Sequence, residues 1–175
     1  MHEKPLYIVD VIEDIVAKVS AELSDTLDFA VAYQHGHPLE IIENIKEQAE
    51  YTRTRSDTYP LIALFQDFDE TTDRLTGEIS AQLHIIIANL TDPKYKATDR
   101  YLKSFKPYLY NIYDELMYQI SRSKYVSRID GNWKKTDRLF WGRSGLYGNE
   151  GNIFNDHIDA IEITNLNLVF NNQTC

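Results

Sequence analysis

The sequence predicts an α+β fold: a single domain in which helices pack on an antiparallel or mixed sheet containing a long β-hairpin. Two segments, 5–24 and 107–121, repeat apolar residues at three- and four-residue spacing, as amphipathic helices do. Two others, 61–68 and 79–88, are apolar on both parities or alternate, as strands do. With 175 residues, 43% hydrophobic and 12% aromatic, and only 7 Gly and 5 Pro, the chain can pack one core around both and is neither disordered nor collagen-like.

The first helix carries Ile8, Val11, Ile12, Ile15, Val16, Val19 and Leu23 on one stripe, with Asp10, Glu13, Asp14, Lys18 and Glu22 between them. Pro5 suits its start, where a missing N–H costs nothing, and Ser24-Asp25 begins the exit. Leu27, Phe29, Val31 and Tyr33 then alternate with polar or small residues, predicting a strand that ends at His35-Gly36-His37-Pro38. Leu39, Ile42, Ile45 and Ala49 mark a second helix over about 38–50, and the polar, threonine-rich 51–59 is a connector. Pro60 opens LIALFQDF. With both of its faces apolar this strand needs two covers, and the second could be a neighbouring subunit. An acidic loop from Asp69 to Gly77 leads into the alternating 79–88, which completes the hairpin.

Thr91-Asp92-Pro93 breaks the chain, Thr98 or Asp99 can cap a short helix, and Pro107 is expected to start the main one through Leu109, Ile112, Tyr113, Leu116 and Ile120. A short strand is expected near Tyr125 to Ile129, with a turn at Gly131-Asn132. Gly142, Gly145, Gly148 and Gly151 recur in an aromatic-bearing loop at about 141–157 that also holds Trp141, Tyr147 and Phe154. In the closing DAIEITNLNLVF, Ile161 and Ile163 share one parity but Leu166, Leu168 and Phe170 the other. A β-bulge near Thr164-Asn165 would absorb that slip.

Charge is uneven. Residues 1–93 hold 6 basic and 18 acidic side chains, 94–143 hold 12 and 5, and 144–175 hold 0 and 4, which sums to the net −9. A nucleic-acid-binding domain is usually basic overall, so this layout fits self-complementary association better, though charges that merely solvate the surface give the same count. No apolar stretch reaches the length of a membrane helix, and the opening Met1-His2-Glu3-Lys4 is not a signal peptide, so cytoplasmic synthesis is expected. The lone Cys175 cannot form an internal disulfide or a cysteine-based metal cluster.

Several constellations could carry chemistry. His35-x-His37 has a spacing that zinc sites use, but no third ligand lies nearby. Asp67, Asp69, Thr71 and Glu78 fall at EF-hand-like places, with Thr72 where the loop needs glycine and strands where it needs helices. Asp156-His157-x-Asp159 sets a possible base beside carboxylates, but no nucleophile elbow, Walker loop or HExxH accompanies it. Trp141, Tyr147 and the tyrosines could stack on single-stranded nucleic acid or anchor a protein interface. No cofactor or metal is expected.

Taken together, LIALFQDF, the hairpin into LHIIIANLT, RYLKSFKPYLYNIYDELMYQI, DRLFWG and DHIDAIEITNLNLVF resemble proteins of tailed-phage and prophage structural clusters, above all the tail terminator and neck (head-tail joining) group. That resemblance implies a small α+β subunit in a homo-oligomeric ring, usually a hexamer, at the head-proximal end of the tail tube. Such a ring stops tube growth and docks the tube to the head connector. Its partners would be the tail tube protein and portal-side neck proteins, with passing contact with genome DNA in the channel. Its location would be the virion, after assembly in the host cytoplasm. The family brings no catalytic residues. The expected partner-binding residues are Leu61, Leu64 and Phe68 of the hairpin strand, Arg100, Lys103 and Lys106 ahead of the main helix, and Lys134, Lys135, Arg138, Trp141 and Arg143 after it. The alternatives are a small metal-dependent hydrolase using Asp156, His157 and Asp159, or a non-phage adaptor module.

Overall fold

A computed structural model describes residues 7–50, 58–142 and 157–171. Helix α1 (Ile8–Leu27) buries seven side chains on the predicted stripe, from Ile8 to Leu23, each contributing about 1.5–3 kcal/mol on removal from water. It runs three residues further than predicted and closes at Asp28, which takes the left-handed conformation (φ 60). Leu27 is therefore helical, and the strand that follows, β1 (Ala32–Gly36), is shorter than the alternation suggested. The Val31 N–H donates to Ser20 Oγ at 2.8 Å and ties the entry of β1 to α1.

Helix α2 (Pro38–Glu50) starts at the proline, with His37 Nδ1 accepting the Leu39 N–H at 3.2 Å. Strand β2 (Leu61–Phe65) follows a cis Tyr59–Pro60 bond, then come β3 (Glu70–Thr72) and β4 (Ile79–Leu90). β2 and β3 both lie antiparallel to β4, which forms the long hairpin expected from sequence, broken at 66–69.

Pro107 does not start the main helix. Helix α3 runs without interruption through Ala97–Arg100, Tyr101–Leu109 and Tyr110–Arg122, and the middle part is a π-helix with Pro107 inside it. An α-helix would suffer a clash between a proline ring and the carbonyl four residues back. The wider π turn avoids it, with the Tyr110 N–H reaching Phe105 C=O, while the Asn111 side-chain amide donates to the carbonyls of Lys106 and Pro107. Phe105, Leu109, Ile112, Leu116 and Ile120 stay buried along one stripe.

Strands β5 (Val126–Asp130), β6 (Lys134–Arg138) and β7 (Ile158–Phe170) complete a seven-stranded mixed sheet in the order β1-β2-β4-β7, with β5 and β6 end to end along the outer side of β7. Among the described residues only the β1–β2 pair is parallel. The predicted bulge is present: Leu83 pairs with Leu166 and Ile85 with Ile163, so Thr164 and Asn165 together oppose His84, and Asn165 is left-handed (φ 59). Ile161 and Ile163 before the bulge and Leu166, Leu168 and Phe170 after it thus reach the same core.

That core lies between one sheet face and the helices α1 and α3. Helix α2 covers part of the opposite face, where Ile41 and Ile45 pack on Leu61, Ala63, Phe65, Ile86, Ala88, Ile158 and Ala160. The second cover of LIALF is thus α2 of the same chain, which corrects the expectation of a neighbouring subunit there.

Candidate functional site

The expected partner-binding residues separate into an interior set and a surface set. Leu61 and Leu64 are 0% exposed, one under α2 and the other under α1 and α3, and they offer no surface to a partner. Phe68 is half-buried and packs against the main core from the loop after β2. Trp141 packs against the smaller cluster beside α2. Arg143 lies outside the described residues, as does the glycine-rich loop beyond Gly142.

Arg100 is also interior. It sits near the start of α3, and its Nη1 reaches Asp159 Oδ1 on β7 at 2.5 Å. The same guanidinium donates to the carbonyls of Tyr95 and Asp92 and to Thr91 Oγ1, and its plane lies over the Phe140 ring, 3.5 Å from the centroid. The Phe140 N–H donates to Asp159 Oδ1 as well, from a residue with φ 53. The guanidinium thereby joins the 91–95 turn, α3, β7 and the chain leaving β6. Charge alone predicted a surface role for Arg100, but the planar fork and the stacking ring suit an interior one.

Lys103 and Lys106 stand on the exposed side of the π segment. Lys103 lies 3.4 Å from Asp99 and 4.6 Å from the Tyr95 ring centroid, at the rim of a cleft of about 640 Å³ that Phe29, Asn89 and Tyr108 help to line. Lys134, Lys135 and Arg138 lie along the outer strand of the sheet. There Lys135 Nζ stands 4.5 Å from the ring centroid of Tyr110 and 5.3 Å from that of Tyr113, and pairs with Asp137 at 2.7 Å. The Tyr110 hydroxyl donates to Asp137 at 2.7 Å, and Trp133 Nε1 donates to the Tyr113 hydroxyl at 3.1 Å. Partial burial first, and then Asp137, push the Tyr110 phenol up to about 12, so it keeps its proton and stays a donor at neutral pH.

A third group was not singled out from the sequence. On the sheet face beyond α2, Glu162 accepts from Arg138 (Nε 2.8 Å, Nη2 2.7 Å) through one oxygen, and its other oxygen lies 3.1 Å from His84 Nε2. The Phe65 ring meets the His84 ring edge to face at 4.6 Å. Arg138 was expected at the surface, and His84 shares the polar parity of Ser80 and Gln82, but no local signal joins either to Glu162.

Several side chains of the chemical constellations that the structure describes are engaged elsewhere. His37 is engaged in starting α2, and His35 Nδ1 lies 3.1 Å from Gln66 Oε1. Both oxygens of Glu78 accept from Arg128 at 2.9 Å. Asp73, in the tip of the β3–β4 turn, accepts the N–H groups of Thr76 and Leu75, which in that order hold its carboxyl below the usual range. Asp156 lies outside the described residues, and Asp159 Oδ1 is committed to Arg100 and Phe140. Among the described residues no group of three or more His, Cys, Asp or Glu is placed to hold a metal ion, and no helix is long and apolar enough to cross a membrane. A comparison with known protein families and with curated proteins finds no match to this chain. The arrangement is one of charged and aromatic surface along a sheet edge, backed by a rigid interior.

Proposed function

We propose that the protein is a structural assembly protein of a tailed-phage virion, a ring-forming tail-terminator or neck subunit that caps the tail tube and docks it to the head connector. The observation that carries this reading is the outer strand of the sheet. β5 and β6 have no strand on their far side among the described residues, and that border carries Lys134, Lys135 and Arg138 with Tyr110, Tyr113 and Trp133 behind it. Aromatic side chains and an arginine on a sheet border suit contact between subunits. The sequence segments that resemble the terminator and neck group form the hairpin, α3 and β7, which are the framework of the fold. A homo-oligomeric ring, hexameric as is usual in that group, with the tail tube protein and the head connector as neighbours, follows from the same reading.

Deletion of the gene from a genome that produces the particle tests it. Heads without joined tails, together with tubes of unregulated length, are expected under electron microscopy. Normal virions from the deletion strain would overturn the assignment.

A further inference from the structure

Among the described residues the sheet has two edges without a further strand, and they differ. Among the described residues β1 pairs only with β2, while β5 and β6 pair only with β7. Along β1 the Ala32 N–H donates to Pro60 and the Gly36 carbonyl accepts from Gln66, so the residues of opposite parity, Tyr33 and His35, turn their backbone groups away from β2. Unpaired N–H and C=O groups on an edge are a template for a further strand.

Direction and charge both select that strand. β1 runs with β2, β2 and β7 both run against β4, and β6 runs against β7, so β6 is antiparallel to β1. A second copy in the same orientation, set beside β1, would present its β6 antiparallel, and both strands are five residues long. An acidic group borders β1 on its α2 face, where Glu40 Oε2 would stand 3.0 Å from a Cβ at Gly36. Basic groups border β6 on both faces. Lys135 lies over the rings of α3, while Lys134 and Arg138 share the parity of Thr136, which pairs with Glu162 on the α2 side. Lys135 is matched by Asp137 and Arg138 by Glu162, but Lys134 has no ion pair among the described residues.

We propose that copies of this chain join head to tail through their sheets, β1 of one copy pairing antiparallel with β6 of the next, with Lys134 facing Glu40. This contact rests on the oligomeric reading above and specifies it.

Light scattering behind size exclusion on the full chain, with hydrogen exchange on the same samples, tests the contact. His35→Pro removes an outward N–H and leaves the ladder to β2 intact, and Lys134→Glu puts like charges opposite Glu40. Each is expected to weaken association at least about tenfold with unchanged circular dichroism, and Glu40→Lys added to Lys134→Glu should restore it. In wild-type oligomers exchange should slow at 32–36 and 134–138. An oligomer that tolerates both variants and leaves 32–36 unprotected would overturn this contact while the ring reading stands. Protection of 32–36 only when a different protein is added would also overturn it, because the occupant would then not be a second copy. A wild-type chain that stays monomeric at every concentration would overturn it too, the lysines on β6 then serving to keep the edge from pairing.

Discussion

Arg100 and Asp159 lie 59 residues apart in sequence and meet at 2.5 Å, with both side chains at most 1% exposed. The buried guanidinium persists because its neighbours compensate it. The Phe140 ring covers it, and two backbone carbonyls and Thr91 Oγ1 accept from it beside Asp159, whose Oδ2 has no hydrogen-bond partner among the described residues.

Removing one partner therefore strands the other charge. Arg100→Met is expected to cost about 3–5 kcal/mol, a fall of roughly 10 °C in Tm, read by thermal denaturation. The double variant Arg100→Met with Asp159→Leu should recover part of that loss, since no charge is left unpaired. A single variant that melts within a degree of wild type would show that the pair is not a buried keystone.

Asn165 makes a second, independent test. A β-branched residue is strained at φ 59, so Asn165→Val is expected to destabilise by about 1–2 kcal/mol, whereas Asn165→Gly should be near neutral. Deleting Asn165 should be far worse, because it would turn Leu166, Leu168 and Phe170 to the wrong face. Chemical denaturation separates the three. Equal behaviour of the valine and glycine variants would contradict the left-handed bulge.

Tyr110 predicts an alkaline limb in the stability curve. Its phenol is raised from the ordinary 10 to about 12, so its contribution is complete below pH 10 and is lost as pH climbs through about 12. Tyr110→Phe should make that limb shallower without abolishing it, because the raised Tyr33 phenol keeps its own share, and should leave the pH dependence between pH 7 and 9 unchanged. Denaturation midpoints across alkaline pH, compared between wild type and variant, decide the matter. Identical alkaline slopes would refute it.

Lys103 and Lys106 are exposed, so Lys103→Glu with Lys106→Glu should leave the subunit folded, exposed charges being worth about 0–1 kcal/mol each. If the basic block serves assembly, this variant should fail to assemble, and raised salt should loosen wild-type oligomers without unfolding them. Normal assembly with loss of bound DNA would assign these lysines to nucleic acid instead.

The elements that were legible in the sequence are those where one local signal decides. The stripe from Ile8 to Leu23 specified α1, and the parity slip between Ile163 and Leu166 located the bulge to the residue. Where two local rules compete, the sequence misled. Pro107 reads as a helix start because an α-helix excludes it further in, and only a π turn, supported by the Asn111 amide, admits it within α3. LIALF asked for two covers, and nothing local says that Ile41 and Ile45 of its own chain supply the second. Arg100 belongs to a basic run by count, yet its place depends on Asp159 and Phe140, which no spacing rule connects to it.

If copies join β1 to β6 as proposed, the contact is between unlike borders, and that would give the assembly a polarity. Joining unlike borders keeps every protomer pointing the same way, so a closed set of copies has an upper rim and a lower rim that differ in chemistry. Each rim would then be free to fit a different neighbour, whereas a two-fold contact would make the rims identical and the assembly blind to direction.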